Sequence, residues 1–180
     1  MKILVTGSNG LLGQKLVYAL MHRKDITLIA CARGENRIHS KEGYIYESVD
    51  LNNPQRVEEI IHSHQPHCII HTAAMTNVDA CELDPPGCRK NNVDTVNYLL
   101  LAAKKHNSHF IYISTDFVFD GASGPYRETD PIGPLSVYAQ SKADAEQLVM
   151  DSGLPWTILR TMIIYGVTDD TQRSNIVLWT

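Results

Sequence analysis

Short apolar runs alternate with longer amphipathic segments along most of the chain. Six runs rich in β-branched or aromatic residues are typical of strands buried on both faces: KILVT, ITLIAC, YIYESV, HCIIHT, HFIYIS and WTILR. Four segments between them have apolar residues at three- and four-residue steps and are predicted to be helices: GLLGQKLVYALMHR, NPQRVEEIIHSH, NVDTVNYLLLAAKKH and SVYAQSKADAEQLVMDSG. Only the connection around KEG, between the second and third strands, lacks a helical pattern. The alternation predicts an α/β fold with a doubly wound parallel sheet.

The composition is that of an ordinary globular domain. The chain has 180 residues, 43% of them hydrophobic and 20% charged, which is enough for one domain with its own core. The formal net charge is −4 and no Lys/Arg-rich cluster occurs, so neither a nucleic acid nor a membrane is predicted as a partner. The first apolar run is too short for a signal peptide and no later run reaches membrane-spanning length, so we expect a cytoplasmic protein.

The cysteine and histidine patterns indicate neither disulfides nor a metal site. The cysteines form no C-x-x-C pair and are predicted to be unpaired, structural residues: Cys31, Cys68, Cys81 and Cys88. Four histidines are close in sequence: His62, His64, His67 and His71. The last two flank a predicted strand, on which residues four apart share a face without the tetrahedral convergence that zinc requires. We therefore predict no metal site.

The segment TGSNGLLG follows the first predicted strand and opens the first predicted helix. Gly7 would allow a tight turn, Gly10 would let backbone N–H groups approach a phosphate, and Gly13 would let helix and strand pack closely. Because a helix N-terminus attracts negative charge, the βαβ context favours a dinucleotide pyrophosphate here over a merely flexible turn. The expected contacts are Gly7, Ser8, Asn9, Gly10, Leu11 and Leu12.

The segment CARGEN follows the second predicted strand, where a dinucleotide site discriminates between its cofactors. A guanidinium matches phosphate geometry with paired hydrogen bonds, so Arg33 is suited to the 2′-phosphate of NADP(H). Glu35 would instead suit the ribose of NAD(H), and an exposed loop arginine without a ligand is a third interpretation. The sequence favours NADP(H) and leaves NAD(H) open.

Polar and small residues end the third, fourth and fifth predicted strands. The ends of parallel strands meet at one edge of the sheet, where ligands bind in this class of fold. The residues expected to collect there are Asp50, Ala73, Ala74, Thr76, Thr115 and Asp116. Small Ala73 and Ala74 permit close approach to the cofactor, and Asp50 is suited to accept a hydrogen bond from an adenine amino group. Thr115 is suited to bond a substrate oxygen, and Asp116 beside it is also a predicted substrate contact.

The segment VYAQSK opens the last predicted helix and has Tyr138 and Lys142 four residues apart, on one helix face. A carbonyl reduction needs a proton donor at oxygen while hydride arrives at carbon. A nearby ammonium lowers the pKa of a phenol from about 10 towards neutrality. We therefore predict that Tyr138 is the acid, that Lys142 tunes it and also binds nicotinamide-ribose hydroxyls, and that Thr115 orients the carbonyl.

Together, TGSNGLLG, the serine-threonine pair of ISTD, and YAQSK resemble the extended short-chain dehydrogenase/reductases, whose cofactor domain is an NAD(P)-binding Rossmann fold. Four further strings are similar to the dTDP-4-dehydrorhamnose reductase family: AAMTNVDACE, STDFVFDG, YRETDPIGPLSVYAQSKADAE and ILRTMIIYG. The resemblance implies that Thr115, Tyr138 and Lys142 are catalytic. It also implies cofactor contacts at Asp50, Leu51, Ala74 through Thr76, Tyr138 and Lys142, and a structural role for Asn92.

The resemblance implies NADP(H)-dependent reduction of a nucleotide-linked 4-keto-6-deoxysugar, dTDP-4-dehydrorhamnose to dTDP-rhamnose, and leaves a homodimer open. The family usually has tyrosine at Phe117, Tyr-Gly-x-Ser-Lys at YAQSK, and tryptophan at Ile163, so these departures concern the substrate. Two alternatives stay open. One is a nucleotide-sugar epimerase or dehydratase, and the other is a non-catalytic NADP-binding regulatory subunit resembling that of methionine adenosyltransferase.

The family is longer than this chain, which ends in an apolar segment, Ile176 to Trp179. An exposed apolar run would promote aggregation, so either a partner buries it or more polypeptide follows in the natural protein, and we expect truncation. The expected organisation is a Rossmann domain over residues 1–165 followed by the start of an incomplete substrate-binding region over residues 166–180.

Overall fold

The computed structural model describes residues 1–169. Its sheet has six strands in the order β3-β2-β1-β4-β5-β6, and every neighbouring pair is parallel. The strands are β1 (Lys2–Thr6), β2 (Thr27–Ala32), β3 (Ile45–Ser48), β4 (Cys68–His71), β5 (His109–Thr115) and β6 (Trp156–Thr161). The predicted parallel, doubly wound sheet is confirmed. The apolar segment Ile176 to Trp179 lies outside the described residues.

The six α-helices of the described chain are α1 (Leu11–Leu20), α2 (Pro54–His64), α3 (Val78–Leu83), α4 (Pro85–Arg89), α5 (Thr95–Lys104) and α6 (Val137–Met150). A π-helical turn, Lys90–Asp94, joins α4 to α5, and a 3₁₀ turn, Asp116–Val118, follows β5. The pattern of apolar residues did not predict α3 and α4, because both are short. Side-chain caps start them instead: Asn77 accepts from the Ala80 N–H and Asp84 from the Gly87 N–H.

The strands bury both faces of the sheet, as the continuous apolar runs predicted. Along β1, Ile3 and Val5 pack with α1 on one face, whereas Leu4 packs in the core under α2, α5 and α6 on the other. The polypeptide between β2 and β3 contributes no helix, yet Ile38 within it is fully buried against the α1 face. The connection that lacks a helix therefore still closes the core.

The four cysteines are unpaired, as predicted, and all but the partly exposed Cys68 are buried. No helix in the described part of the chain has both the length and the apolar character that crossing a bilayer requires. No three His, Cys, Asp or Glu side chains within residues 1–169 are grouped in a way that could hold a metal ion.

Candidate functional site

The turn between β1 and α1 brings three backbone segments so close that two of its glycines have no room for a side chain. Gly7 has φ +71°, and a Cβ on it would lie 2.7 Å from the Ala73 nitrogen in the segment that follows β4. A Cβ on Gly13 would lie 2.2 Å from the Gly7 carbonyl oxygen. These contacts match the roles expected for a tight turn and for close packing of helix on strand.

The N-terminus of α1 is left open by the same turn. Its cap residue is Gly10, which has no side chain to accept from the first N–H groups, and the first turn carries no acidic residue. Ser8 is buried, and its hydroxyl has no hydrogen-bond partner within the described chain. Free N–H groups, the positive end of the helix dipole and absent side chains are what a phosphate requires. This turn, from Gly7 to Gly13 and called the phosphate cradle below, therefore fits a dinucleotide pyrophosphate.

Asn9 connects the glycine-rich turn to the polypeptide that follows β2. Its Nδ2 donates to the Glu35 carbonyl at 2.8 Å and to the Arg33 carbonyl at 3.4 Å, and its Oδ1 accepts from the Arg37 N–H at 2.9 Å. Arg33 and Glu35 are both exposed beyond the end of β2. The structure therefore places the two candidate cofactor-discriminating residues beside the cradle, and it gives Asn9 a bracing role that the sequence did not indicate.

The third and fourth strand ends lie on either side of this cradle. Asp50 is exposed, and its carboxylate accepts from the Asn52 backbone N–H at 3.0 Å. Leu51, in contrast, packs into the core cluster and is 8% exposed. Ala73 and Ala74 are partly buried where the chain leaves β4, and Thr76 is exposed further along the same segment. The backbone of these residues lies at the carboxyl edge of the sheet, as expected, but the Leu51 side chain packs into the core.

Tyr138 and Thr115 meet at the junction of β5 and α6. Thr115 ends β5 and is 7% exposed, and Tyr138 lies in the first turn of α6 and is 9% exposed. Burial raises the pKa of the Tyr138 phenol, and a hydrogen bond with the Thr115 hydroxyl partly offsets that rise. The Phe117 ring stands edge-on to Tyr138, with centroids 6.4 Å apart. Asp116 accepts from the Thr115 hydroxyl at 3.2 Å.

Lys142 lies one turn further along α6 and is 3% exposed. Its Nζ donates to the Ile113 carbonyl at 2.7 Å and lies 4.2 Å from the centroid of the Tyr112 ring. Burial lowers the pKa of Lys142 to about 7, against a smaller opposing effect of Glu146. We predicted that Lys142 lowers the pKa of Tyr138, but that pKa is raised. In this structure, desolvation outweighs any effect of the ammonium.

Asn92 ties three elements together beneath this junction, which agrees with the structural role that the resemblance implied. It lies in the π-helical turn, is 1% exposed, and brackets Met75: its Oδ1 accepts from the Met75 N–H at 2.7 Å and its Nδ2 donates to the Met75 carbonyl at 3.0 Å. The same Nδ2 lies 2.9 Å from the Ser141 hydroxyl of α6. Asn92 thus holds the segment after β4 against the helix that carries Tyr138 and Lys142.

Two polar contacts near the site were missed from the sequence. The buried Glu146 of α6 forms an ion pair with the partly exposed Arg160 of β6, with Nη2 and Oε2 2.7 Å apart. Gln14 of α1 exchanges two hydrogen bonds with the Asp169 backbone, each 2.9 Å long. Glu146 could have been noticed because it lies four residues after Lys142, but no local signal marks its partner on a strand fourteen residues away.

The family model described as RmlD substrate binding domain matches residues 1–177. Two curated relatives illustrate the sequence similarity. The dTDP-4-dehydrorhamnose reductase of Aggregatibacter actinomycetemcomitans is 38% identical over 166 residues, covering 92% of this chain and 52% of the relative. The methionine adenosyltransferase 2 subunit beta of Pongo abelii is 36% identical over 177 residues, covering 98% of this chain and 51% of the relative. The chain spans about half the length of the curated relatives it matches.

Solved structures show the same fold. A hypothetical dTDP-4-dehydrorhamnose reductase from Sulfolobus tokodaii has a TM-score of 0.82 at 33% identity, covering 94% of this chain and 58% of its own. The Bacillus anthracis dTDP-4-dehydrorhamnose reductase, solved with NADP, has a TM-score of 0.75 at 26% identity, covering 91% and 54%. The Thermotoga maritima UDP-glucose 4-epimerase, solved with UDP-glucose, has a TM-score of 0.84 at 25% identity, covering 98% and 60%.

These similarities extend over nearly all of this chain, and the motifs that carry them lie at one edge of its parallel sheet. The chain therefore belongs to the RmlD substrate binding domain family and is similar to the dTDP-4-dehydrorhamnose reductases within the extended short-chain dehydrogenase/reductases.

Proposed function

We propose that the full-length protein is an NADP(H)-dependent reductase of a nucleotide-linked 4-keto-6-deoxysugar, converting dTDP-4-dehydrorhamnose to dTDP-rhamnose. One observation carries the proposal: Tyr138 and Lys142 are buried on one face of α6, beside Thr115, at the sheet edge that also has the phosphate cradle. A proton donor beside a dinucleotide cradle suits reduction of a carbonyl group. Relatives that carry the reductase name support the choice of substrate.

The proposed cofactor is NADP(H), with NAD(H) as a second that the site would accept. Gly7, Gly10 and Gly13 would hold the pyrophosphate, and the exposed Arg33 would bind the 2′-phosphate of NADP(H). The remaining proposed contacts are Ser8, Asn9, Leu11, Leu12, Asp50, Leu51, Ala73, Ala74 and Thr76. When bound, the cofactor would supply the hydride that reaches the sugar carbon.

Tyr138 is the proposed acid. Because burial raises its pKa, the phenol keeps its proton at neutral pH, which is the state that a reduction requires. The Thr115 hydroxyl would bond the carbonyl oxygen and stabilise the negative charge that develops there, with Asp116 bordering the same position. One Lys142 N–H donates to the Ile113 carbonyl, so the ammonium retains donors for the ribose hydroxyls of the nicotinamide.

The substrate would bind beyond the carboxyl edge, between the cofactor domain and polypeptide that begins near residue 166. We propose residues 1–165 as the cofactor domain and residues 166–180 as the start of the substrate-binding region. Phe117 and Ile163 are 50% and 71% exposed on this side. Both differ from the residues usual in the family, so they are the positions at which a different sugar would be accommodated.

Tyr138→Phe in the full-length protein tests the acid assignment. With dTDP-4-dehydrorhamnose as substrate and NADPH absorbance as readout, we expect kcat to fall by about 10²-fold or more and KM to change little. Tyr98→Phe on α5 is the matched control, because Tyr98 packs against the core and should leave kcat unchanged. An unchanged kcat for Tyr138→Phe would show that Tyr138 is not the acid.

A nucleotide-sugar epimerase or dehydratase is the second candidate, and the similarity to the Thermotoga maritima epimerase favours it. Such an enzyme returns the hydride to the sugar and keeps its cofactor. Stoichiometric loss of NADPH absorbance with each sugar reduced supports the reductase, whereas sugar conversion at constant absorbance supports the epimerase or dehydratase.

A non-catalytic regulatory subunit is the third candidate, favoured by the 36% identity to methionine adenosyltransferase 2 subunit beta. In that case the full-length protein would co-elute with a methionine adenosyltransferase catalytic subunit in size-exclusion chromatography and would turn over no nucleotide sugar. Sugar turnover without co-elution would exclude this function.

A further inference from the structure

An ion pair between Glu146 and Arg160 lies one helical turn beyond Lys142, on the same face of α6. The Glu146 side chain is fully buried and accepts three hydrogen bonds from Arg160: Nε to Oε1 at 3.0 Å, Nε to Oε2 at 3.3 Å and Nη2 to Oε2 at 2.7 Å. Arg160 also donates from Nη1 to the Glu128 carbonyl at 3.1 Å, and its guanidinium carbon lies 4.9 Å from the centroid of the Phe119 ring. These contacts join α6, β6 and the loop between β5 and α6 at one point.

A buried carboxylate calls for an explanation beyond stability. Taking Glu146 out of water costs free energy that its attraction to the partly exposed Arg160 recovers only in part, and well-packed apolar residues often replace buried ion pairs without loss. Glu146 also lies four residues after Lys142, so its carboxylate is on the same face of α6 as the ammonium. The position of Glu146 therefore indicates that its carboxylate acts on the Lys142 ammonium.

The other titratable groups around Lys142 come from four elements: His71 of β4, Tyr112 of β5, Cys88 of α4 and Tyr138 of α6. Burial lowers the pKa of His71 to about 3 and raises the pKa values of Tyr112 and Tyr138, so these three are neutral at pH 7. Glu146 adds a negative charge to the groups around Lys142, and the hydrogen bonds from Arg160 hold the Glu146 carboxylate in its position.

We propose that Glu146, held in place by Arg160, is a positioning residue that increases the charged fraction of Lys142 at neutral pH. Lys142 is 3% exposed, and this loss of water disfavours an ammonium, although the Ile113 carbonyl and the Tyr112 ring each stabilise it. Without a carboxylate nearby, a smaller fraction of Lys142 would be charged in the range in which it has to bind the ribose and support Tyr138. The inference rests on the proposed function for its catalytic meaning, but the charge of Lys142 is measurable without turnover.

Two variants that break the same ion pair separate an electrostatic role from a structural one. Glu146→Gln removes the carboxylate and leaves a guanidinium nearby, so the pKa of Lys142 should fall by about one pH unit. Arg160→Gln removes the positive charge that offsets the carboxylate, so the pKa of Lys142 should rise by about one pH unit. A role in folding alone would affect both variants in the same way.

The measurement is an NMR titration of full-length protein labelled at lysine 13Cε, with the Lys142 signal assigned from Lys142→Arg. In parallel, the alkaline limb of kcat/KM for NADPH should shift to lower pH in Glu146→Gln and to higher pH in Arg160→Gln. Equal shifts, or no shift in either variant, would overturn the proposal.

If a glutamine variant does not fold, Glu146→Asp and Arg160→Lys replace the pair. A lower Lys142 pKa in Glu146→Asp with little change in Arg160→Lys is then expected, and its absence counts against the proposal. If Lys142 titrates as expected but no sugar is reduced, the proposed function fails and the positioning of charge stands.

Discussion

Gly7 closes the turn between β1 and α1 with φ +71°, in a space that leaves no room for a side chain. An alanine there would lie 2.7 Å from the Ala73 nitrogen, 2.8 Å from its Cα and 2.9 Å from the Thr72 hydroxyl oxygen. The left-handed backbone costs an alanine about 1–2 kcal/mol, and forcing the neighbouring segment apart costs about 1–3 kcal/mol more. Gly7→Ala should therefore lower the free energy of unfolding by about 2–5 kcal/mol.

Gly153→Ala separates the two contributions. Gly153 has φ +73°, but nothing lies within 4 Å of its ideal Cβ position, so only the backbone cost of about 1–2 kcal/mol remains. Urea unfolding followed by circular dichroism gives both free energies, and fluorescence titration with NADPH gives the dissociation constants. We expect Gly7→Ala to be the less stable variant and to lose NADPH binding, and Gly153→Ala to bind as the parent does. Equal destabilisation by the two substitutions would refute the argument that close approach to Ala73 governs this turn.

Three further predictions concern other parts of the site. Arg33→Ala should weaken NADPH binding about tenfold and leave NADH binding unchanged in fluorescence titrations. Asn9→Ala, which removes the bonds to the Arg33 and Glu35 carbonyls, should weaken NADPH binding less. Equal losses of NADPH and NADH binding would contradict this. Asn92→Ala leaves the Met75 N–H and carbonyl without their partner, so it should lower the free energy of unfolding by about 2 kcal/mol, and a neutral result in urea would contradict it. Burial holds the pKa of His71 at about 3, so below pH 6.5 only the unfolded chain takes up this proton. Stability should fall by about 2 kcal/mol between pH 7 and pH 5, and His71→Gln should remove that part of the loss in urea unfolding.

The strands, the long helices and the positions of the sequence motifs were predictable because each depends on a local pattern. Each of the six apolar runs forms a strand of the parallel sheet. The glycine spacing of TGSNGLLG located the turn after β1, in which neither Gly7 nor Gly13 has room for a side chain, as expected. The short helices α3 and α4 were not predictable in this way, because caps at Asn77 and Asp84 start them rather than a repeating apolar face.

The sequence by itself determined the order of elements, the parallel sheet and the identity of the groups at its carboxyl edge, because periodicity and turn residues act over a few positions along the chain. Only the tertiary structure decided how those groups are charged. The spacing of Tyr138 and Lys142 indicates a shared helix face, but the raised pKa of the phenol and the lowered pKa of the ammonium follow from burial. The pairing of Glu146 with Arg160 likewise depends on α6 packing beside β6. Burial and contacts between elements are properties of the packed chain, and desolvation, which exists only after packing, outweighed the effect that the local spacing suggested.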